Sequence, residues 1–374
     1  MCSHTFLEHL VYIGEAGMKE GSGREEFQYK GMDVIKFVMS VFVVVLHTHP
    51  FYGVSDGLNF VTADVLGRVA VPFFFAATGF LLQRKKETGN VCGKDIIKKY
   101  VCRILKLYLI WTAVYLPVIV YTNIISSNKG IQYGVFTSVR DFIFAGSYAH
   151  LWYLPATAVG VCIAFFLTEK IGEGRSGGFL SLLFLAGLLA QSYYGVLSAV
   201  IEEGGFIWNG LRLVKKVMVT TRNGIFFGSF FIYMGSWTAR RYEKIRLKTG
   251  MIWLGAAISA VLLTLEEIWL HRLGFVREED MYLMLVPAAF FLLLVSLRMD
   301  IRMPTALLRR MSMNIYFIHL LFKFLYRQFL GEYNENGWKL FLFTLCGTLF
   351  FAYLLCKVQM GKVRDGNGKK KENL

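Results

Sequence analysis

Residues 32–50 read MDVIKFVMSVFVVVLHTHP, a run dominated by Val, Met, Phe and Leu. Its length is close to the roughly 20 residues that a helix needs to cross about 30 Å of hydrocarbon. Runs of the same kind follow at 65–83, 103–124, 151–169, 178–200, 223–239, 251–270, 282–298, 311–329 and 338–357. Only helices and closed barrels satisfy every backbone group inside a bilayer, and the short alternating segments of barrel strands are absent. The expected fold is therefore all-α, a polytopic integral membrane protein with about ten transmembrane helices. The expected organisation is a cytoplasmic extension over 1–30, a transmembrane domain over 31–358 and a basic cytoplasmic tail over 359–374.

Composition agrees with this layout. Of 374 residues, 55% are hydrophobic and 16% aromatic, and mean hydropathy is +0.47. A soluble domain of this length would need more polar surface than that. The formal net charge of +15 does not point to nucleic acid, because the basic residues fall in short clusters between apolar runs. Six cysteines lack paired or metal-ligand spacing. Those in or beside apolar runs (Cys102, Cys162, Cys346 and Cys356) are expected to be packing residues. Residues 1–28 lack the apolar core and cleavage site of a secretory signal, so Met1, Met18 and Met32 all stand as starts.

The clusters also fix an orientation. Arg84, Lys85, Lys86, Lys94, Lys98, Lys99, Arg103 and Lys106 lie between the second and third spans. Arg240, Arg241, Lys244, Arg246 and Lys248 follow the sixth, Arg298, Arg302, Arg309 and Arg310 the eighth, and Lys369, Lys370 and Lys371 the tenth. With ten spans all of them share one side. The other loops carry Glu202, Glu203, Glu278, Glu279 and Asp280 instead. The positive-inside rule then places both termini in the cytoplasm of a multi-pass cell-membrane protein.

Ionisable groups within hydrocarbon are costly and mark pathways or sites. In the first span Lys36 and His47 are eleven residues apart. That is about three helical turns, so the two share a face about 16 Å apart, with Ser40 on the same stripe. An imidazole titrates near neutrality and can take a hydroxyl proton, which suits general-base acyl transfer. The alternative stays open: His47 and His49 as interfacial residues before Pro50, and Asp33 paired with Lys36. In the ninth span Ser312, Tyr316, His319 and Lys323 share one face. His319 is either a second site histidine or a core residue bonded to a neighbouring helix.

The first two spans, with VAVPFFFAATGFLL at 69–82, resemble acyltransferase family 3, whose members acylate extracytoplasmic glycans or other acceptors. The family's basic residue and histidine of the first helix are matched by Lys36 and His47. Its Phe-rich stretch ending Ser-Gly-Phe is matched by Phe73 to Phe80, with Thr78 for serine. Its basic entry to the third helix is matched by Arg103 and Lys106. HLWYLPA (150–156), TTRNGIFFG (220–228), DMYLMLVP (280–287) and NIYFIHL (314–320) are similar to the membrane portion of vancomycin-resistance-type serine racemases. Those continue into a pyridoxal-phosphate domain for which the sequence after Cys356 leaves no room, so racemase chemistry is not expected here.

The resemblance implies acyl-CoA, acetyl-CoA above all, as co-substrate, a hydroxyl acceptor such as a cell-envelope glycan, and no bound cofactor or metal. His47 would be the base; Lys36, Arg84, Arg103 and Lys106 would meet the donor's charge. Arg68, His150, Trp152, Arg222, Tyr316 and His319 would line the acceptor site or a pore. Each has a plainer reading: topology-setting or snorkelling cations, and an aromatic belt for Trp152. Glu266 and Glu267 need partners, for which Arg222 and His271 are the expected ones. Thr78 and Gly79 are expected to serve close helix packing beside Pro72. Transport of serine or a glycan intermediate, with a separately encoded racemase or envelope enzyme as partner, is the rival function.

Overall fold

The computed structural model describes residues 29–89, 92–127, 130–202, 204–205, 208–210, 219–274, 280–330 and 336–371, with side chains to 359. The extension before residue 29, Glu203, Glu278, Glu279 and the side chains of the basic tail lie outside the described residues. Those described are helical wherever they are regular. They form α1 (Lys30–Thr48), α2 (Asp56–Thr88), α3 (Gly93–Ile125) and α4 (Ile131–Phe144). After them come α5 (Tyr153–Ile171), α6 (Glu173–Leu189), the short α7 (Tyr194–Ser198) and α8 (Ser229–Arg241), which is entered through a π-helical turn, Gly224–Gly228. The last four are α9 (Thr249–Arg272), α10 (Leu285–Arg298), α11 (Ala306–Phe329) and α12 (Trp338–Lys371).

Every apolar run read from the sequence contains a helix. Six helices among the described residues are long and apolar enough to cross a membrane: α1, α2, α3, α5, α9 and α12 up to Gln359. The fifth run is displaced from its expected 178–200. Its helix starts at Glu173, directly after Gly172 turns into a positive φ of 81°, and stops at Leu189. Beyond it, Gln191 bonds the Thr220 hydroxyl and the Ser192 hydroxyl accepts from the Met281 N–H, so the chain is tied down by polar contacts. α4 was not expected, because Gln132, Arg140 and Asp141 interrupt its apolar residues. Gly134 lets it press on the Asn123 carbonyl, and Phe142 stacks on Tyr108. Ile131, Val135, Val139 and Ile143, one per turn, stay exposed.

The chain divides into two compact units, one made from both ends of the sequence (Met1–Gly67 with Ser296–Leu374) and one from Arg68–Val295. In the first unit α1 and α11 run parallel. Ser312 meets Lys36 near their starts, and Lys323 meets His47 near their ends. α12 runs antiparallel to both, with Gly337 bonded to Thr48 at one end and Asn314 to Ala352 at the other. Val44, Ile315 and Ala352 form the shared core of the three. The start of α1 and the late turns of α12 therefore lie at the same end of this bundle.

In the second unit α2, α5 and α8 run parallel, as the pairs Phe75–Phe227, Phe80–Tyr242 and Arg84–Glu243 show for α2 and α8. α6 runs against α8, and α9 against α10. These directions are those an alternating chain requires. Small residues let the parallel helices close up: a Cβ on Gly79 would overlap the Ile232 carbonyl, and one on Gly235 the Ala76 carbonyl. Gly79 thus sits at a tight crossing, as expected of it. Cys102, Cys162 and Cys346 instead face outward, and Cys356 is the buried one.

Gly79→Ala and Gly235→Ala are each expected to destabilise the detergent-solubilised protein by about 1–3 kcal/mol, because backbone cannot move aside. Gly250→Ala, which meets nothing within 4 Å, should leave the melting temperature unchanged.

Candidate functional site

α1 ends with a backbone device that aims its histidines. His49 takes a left-handed φ of 45° and its N–H bonds the Val45 carbonyl, closing the helix before Pro50. Its ring nitrogen Nδ1 pairs with the Asn59 side chain at 3.2 Å. His47, half-buried in the last turn, lies against His319 of α11 with ring centroids 5.3 Å apart. His319 is fully buried, and its Nδ1 hydrogen-bonds the Ile315 and Tyr316 carbonyls of its own helix at 3.1 and 2.9 Å. This fixes which ring nitrogen is turned toward the helix backbone. Tyr316 flanks the same ring at 6.4 Å. Lys323 donates to the backbone carbonyl of His47.

At the other end of the α1 stripe, Asp33 is a charged neighbour of Lys36 and has a further partner besides. Asp33 is buried and accepts from the Thr305 hydroxyl at 2.7 Å. Lys36 has Asp33 and Arg309 as its charged neighbours, and its carbonyl accepts from Ser312 at 3.0 Å. Ser40 faces inward and bonds the Phe37 carbonyl at 2.7 Å.

A second constellation lies within the other unit. Asp280 accepts from Arg222 at 2.7 Å and from Arg68 at 3.3 Å, and Arg68 also approaches the fully buried Glu267 at 3.9 Å. The Arg222 guanidinium lies over the Trp152 ring, 4.6 Å from its centroid. Gly146, at φ 88°, is where a Cβ would strike the Trp152 backbone, so the preceding turn sets that indole. His150 is buried against Tyr115 and Tyr148 rather than opening outward. The acid pair is partnered otherwise than expected. Glu266 accepts from the Tyr193 hydroxyl and from the Leu283 and Met284 N–H groups, capping the start of α10, and Glu267 faces Arg68. Arg222 is joined to Asp280 instead, which the sequence showed only as the last of an acidic run.

Of the expected donor residues, Arg84 is engaged by Glu87 at 3.4 Å and Glu243 at 3.7 Å. Arg103 lies over the Tyr100 ring at 5.2 Å, and Thr78 is within hydrogen-bond reach of both Tyr100 and Tyr153. Lys106 is exposed. The structure thus brings His47, His319, Tyr316 and Lys36 onto the facing stripes of α1 and α11. Arg68, Arg222 and Trp152 form one cluster in the second unit.

A family model described as an acyltransferase domain, of the acyltransferase-3 type, matches residues 29–357. The chain belongs to this acyltransferase-3 family. The chain is also similar to two proteins named amino-acid racemase from Enterococcus faecalis, at 27% identity over 264 residues and 29% over 295. A serine/alanine racemase from Enterococcus gallinarum is 28% identical over 271 residues. These alignments cover 71%, 77% and 72% of this chain but 35%, 40% and 37% of the relatives, so it spans well under half their length. No solved structure matches the chain.

A third polar cluster, at the α5–α6 connection, was not anticipated. Glu173 accepts from Arg240 at 3.2 Å and from both terminal nitrogens of Arg241, while Arg240 and Ser236 donate to the Gln83 side chain. Partial burial pushes the Glu173 carboxyl up, but the hydrogen bonds and charges of Arg241 and Arg240 outweigh it and hold it below its ordinary value. A depressed carboxyl contributes stability that is present above its unfolded pKa and is lost as pH falls through the folded one. Thermal stability should therefore decline in acid below the usual glutamate range, and Glu173→Gln should flatten that decline in melting curves recorded against pH.

Proposed function

We propose that this acyltransferase-family protein moves an acyl group, acetyl above all, from cytosolic acyl-CoA to a hydroxyl of an acceptor such as a cell-envelope glycan. The observation that carries this is the His47 imidazole, held against His319 at the end of α1 in a chain of this family. His47 takes the acceptor's hydroxyl proton as the oxygen attacks the thioester carbonyl. The new C–O bond forms, the C–S bond breaks, and the proton passes to the leaving thiolate. Lys36, Arg103 and Lys106 supply positive charge for the donor's phosphates, and arginine suits bidentate contact with them. Arg84, already paired with two glutamates, contributes only where those partners give way. Arg68, Arg222 and Trp152, with His150 behind them, offer the acceptor guanidinium donors and an aromatic face.

In this reading the protein is a multi-pass protein of the cell membrane with both termini cytoplasmic. The common end reached by α1 and α12 is the basic one, which supports that orientation. A separately encoded racemase or envelope enzyme is the natural partner class. The racemase names of its relatives favour one rival, transport of serine or a glycan intermediate.

His47→Ala in membrane fractions should lower transfer from labelled acetyl-CoA by about 100-fold or more while expression and melting temperature stay near wild type. Undiminished transfer would remove the histidine mechanism. Labelled-serine uptake into proteoliposomes without acyl-CoA consumption would favour the transporter.

A further inference from the structure

Two spacings coincide across the α1–α11 pair. Lys36 and His47 are eleven residues apart on α1, and Ser312 and Lys323 are eleven apart on α11. Because the helices are parallel, each partner meets its counterpart: the Ser312 hydroxyl bonds the Lys36 carbonyl, and the Lys323 ammonium bonds the His47 carbonyl. Both contacts are to backbone oxygen. They engage neither the Lys36 amine nor the His47 ring. The Lys36 carbonyl is mid-helix and accepts an additional bond. The His47 carbonyl is one of the last four of α1, which have no partner within the helix. A cation there suits both the orphan acceptor and the negative end of the helix dipole.

We propose that Lys323 is a positioning residue for His47: it caps the end of α1 through the His47 carbonyl and so holds the imidazole in place against His319. Ser312 is the second point of the same clamp and sets the register of α1 on α11 at the Lys36 level. The α11 stripe thereby serves the α1 stripe, with His319 as the surface on which His47 rests and Ser312 and Lys323 as its two fasteners. A freely rotating or frayed last turn would carry the ring off its station, and a misplacement of about 1 Å costs a catalytic group on the order of 100-fold. The inference rests on the reading of His47 as the base, but its structural half is testable apart from it.

The test is the rate at which diethyl pyrocarbonate modifies His47 in the purified, detergent-solubilised full chain, read by peptide mass spectrometry. Wild type is compared with Lys323→Met, Lys323→Gln and Lys323→Arg, each with its melting temperature. A clamp predicts His47 labelling at least about threefold faster in the Met and Gln variants, since the His47 carbonyl loses its fastening to α11. It predicts wild-type labelling in the Arg variant, whose guanidinium still donates to the carbonyl. Should Lys323→Met fail to fold, Lys323→Gln carries the comparison, being polar but too short to reach. Wild-type labelling in the Met and Gln variants, or equal acceleration in the Arg variant, overturns the proposal. Acetyl transfer adds a separate reading: Lys323→Met should lower kcat by about 10- to 100-fold with KM for acetyl-CoA unchanged. If His47→Ala retains transfer, the base assignment fails while the labelling result still decides the clamp.

Discussion

A backbone or side-chain polar group inside a membrane protein has no water to fall back on, so its partner must come from the protein. In the first unit that constraint is met by parallel helices whose side chains bond each other's backbone. Ser312 and Lys323 reach carbonyls of α1, Thr305 reaches Asp33, and Gly337 bonds Thr48 from the start of α12. The apolar contact of Val44, Ile315 and Ala352 fills the space between. Lipid tails are as apolar as leucine, so burial alone gives little preference for one helix pairing over another. The polar bonds supply that preference, and they place the two histidines beside each other.

The second unit meets the same constraint with close approach and with charge. Gly79 and Gly235 let α2 and α8 touch backbone to backbone. Around them, acids are shared between cations: Asp280 between Arg68 and Arg222, Glu173 between Arg240 and Arg241. Removing one member of such a set leaves a charge with no counterpart, which costs more than the pair contributes. Glu266 is met by uncharged donors instead, a tyrosine hydroxyl and the two N–H groups just before α10. These groups share the unit with the tightest helix crossing, so structural and functional roles of Arg68 and Arg222 overlap.

The helices were legible because hydrophobic runs of membrane length have few alternatives. Each expected run holds a helix, and the directions within each unit alternate as basic-loop placement implies. The shared face of Lys36 and His47, and that of Ser312 through Lys323, followed from helical periodicity alone. Pairing between the two faces did not follow, since it depends on which helices become neighbours across some 270 residues of chain. Charge partners from distant elements escaped for the same reason. Asp33 is the charged neighbour of Lys36 that three residues' spacing implies, yet its bond from Thr305 was not legible. Glu266 and Glu267 looked equivalent, yet one caps a helix and the other faces Arg68. α4 escaped notice because charged and polar residues interrupt its run, and its fit to α3 turns on one glycine and one stacked phenylalanine.

The central claim is that α1 and α11 lie parallel and in one register, with Lys36 level with Ser312 and His47 level with Lys323. Paired cysteines at these positions test it directly in native membranes, by oxidative cross-linking on a protein cut once between the two helices. The account predicts that Lys36→Cys joins Ser312→Cys and that His47→Cys joins Lys323→Cys. Cross-linking of the swapped pairs, Lys36→Cys with Lys323→Cys or His47→Cys with Ser312→Cys, in place of these would contradict it.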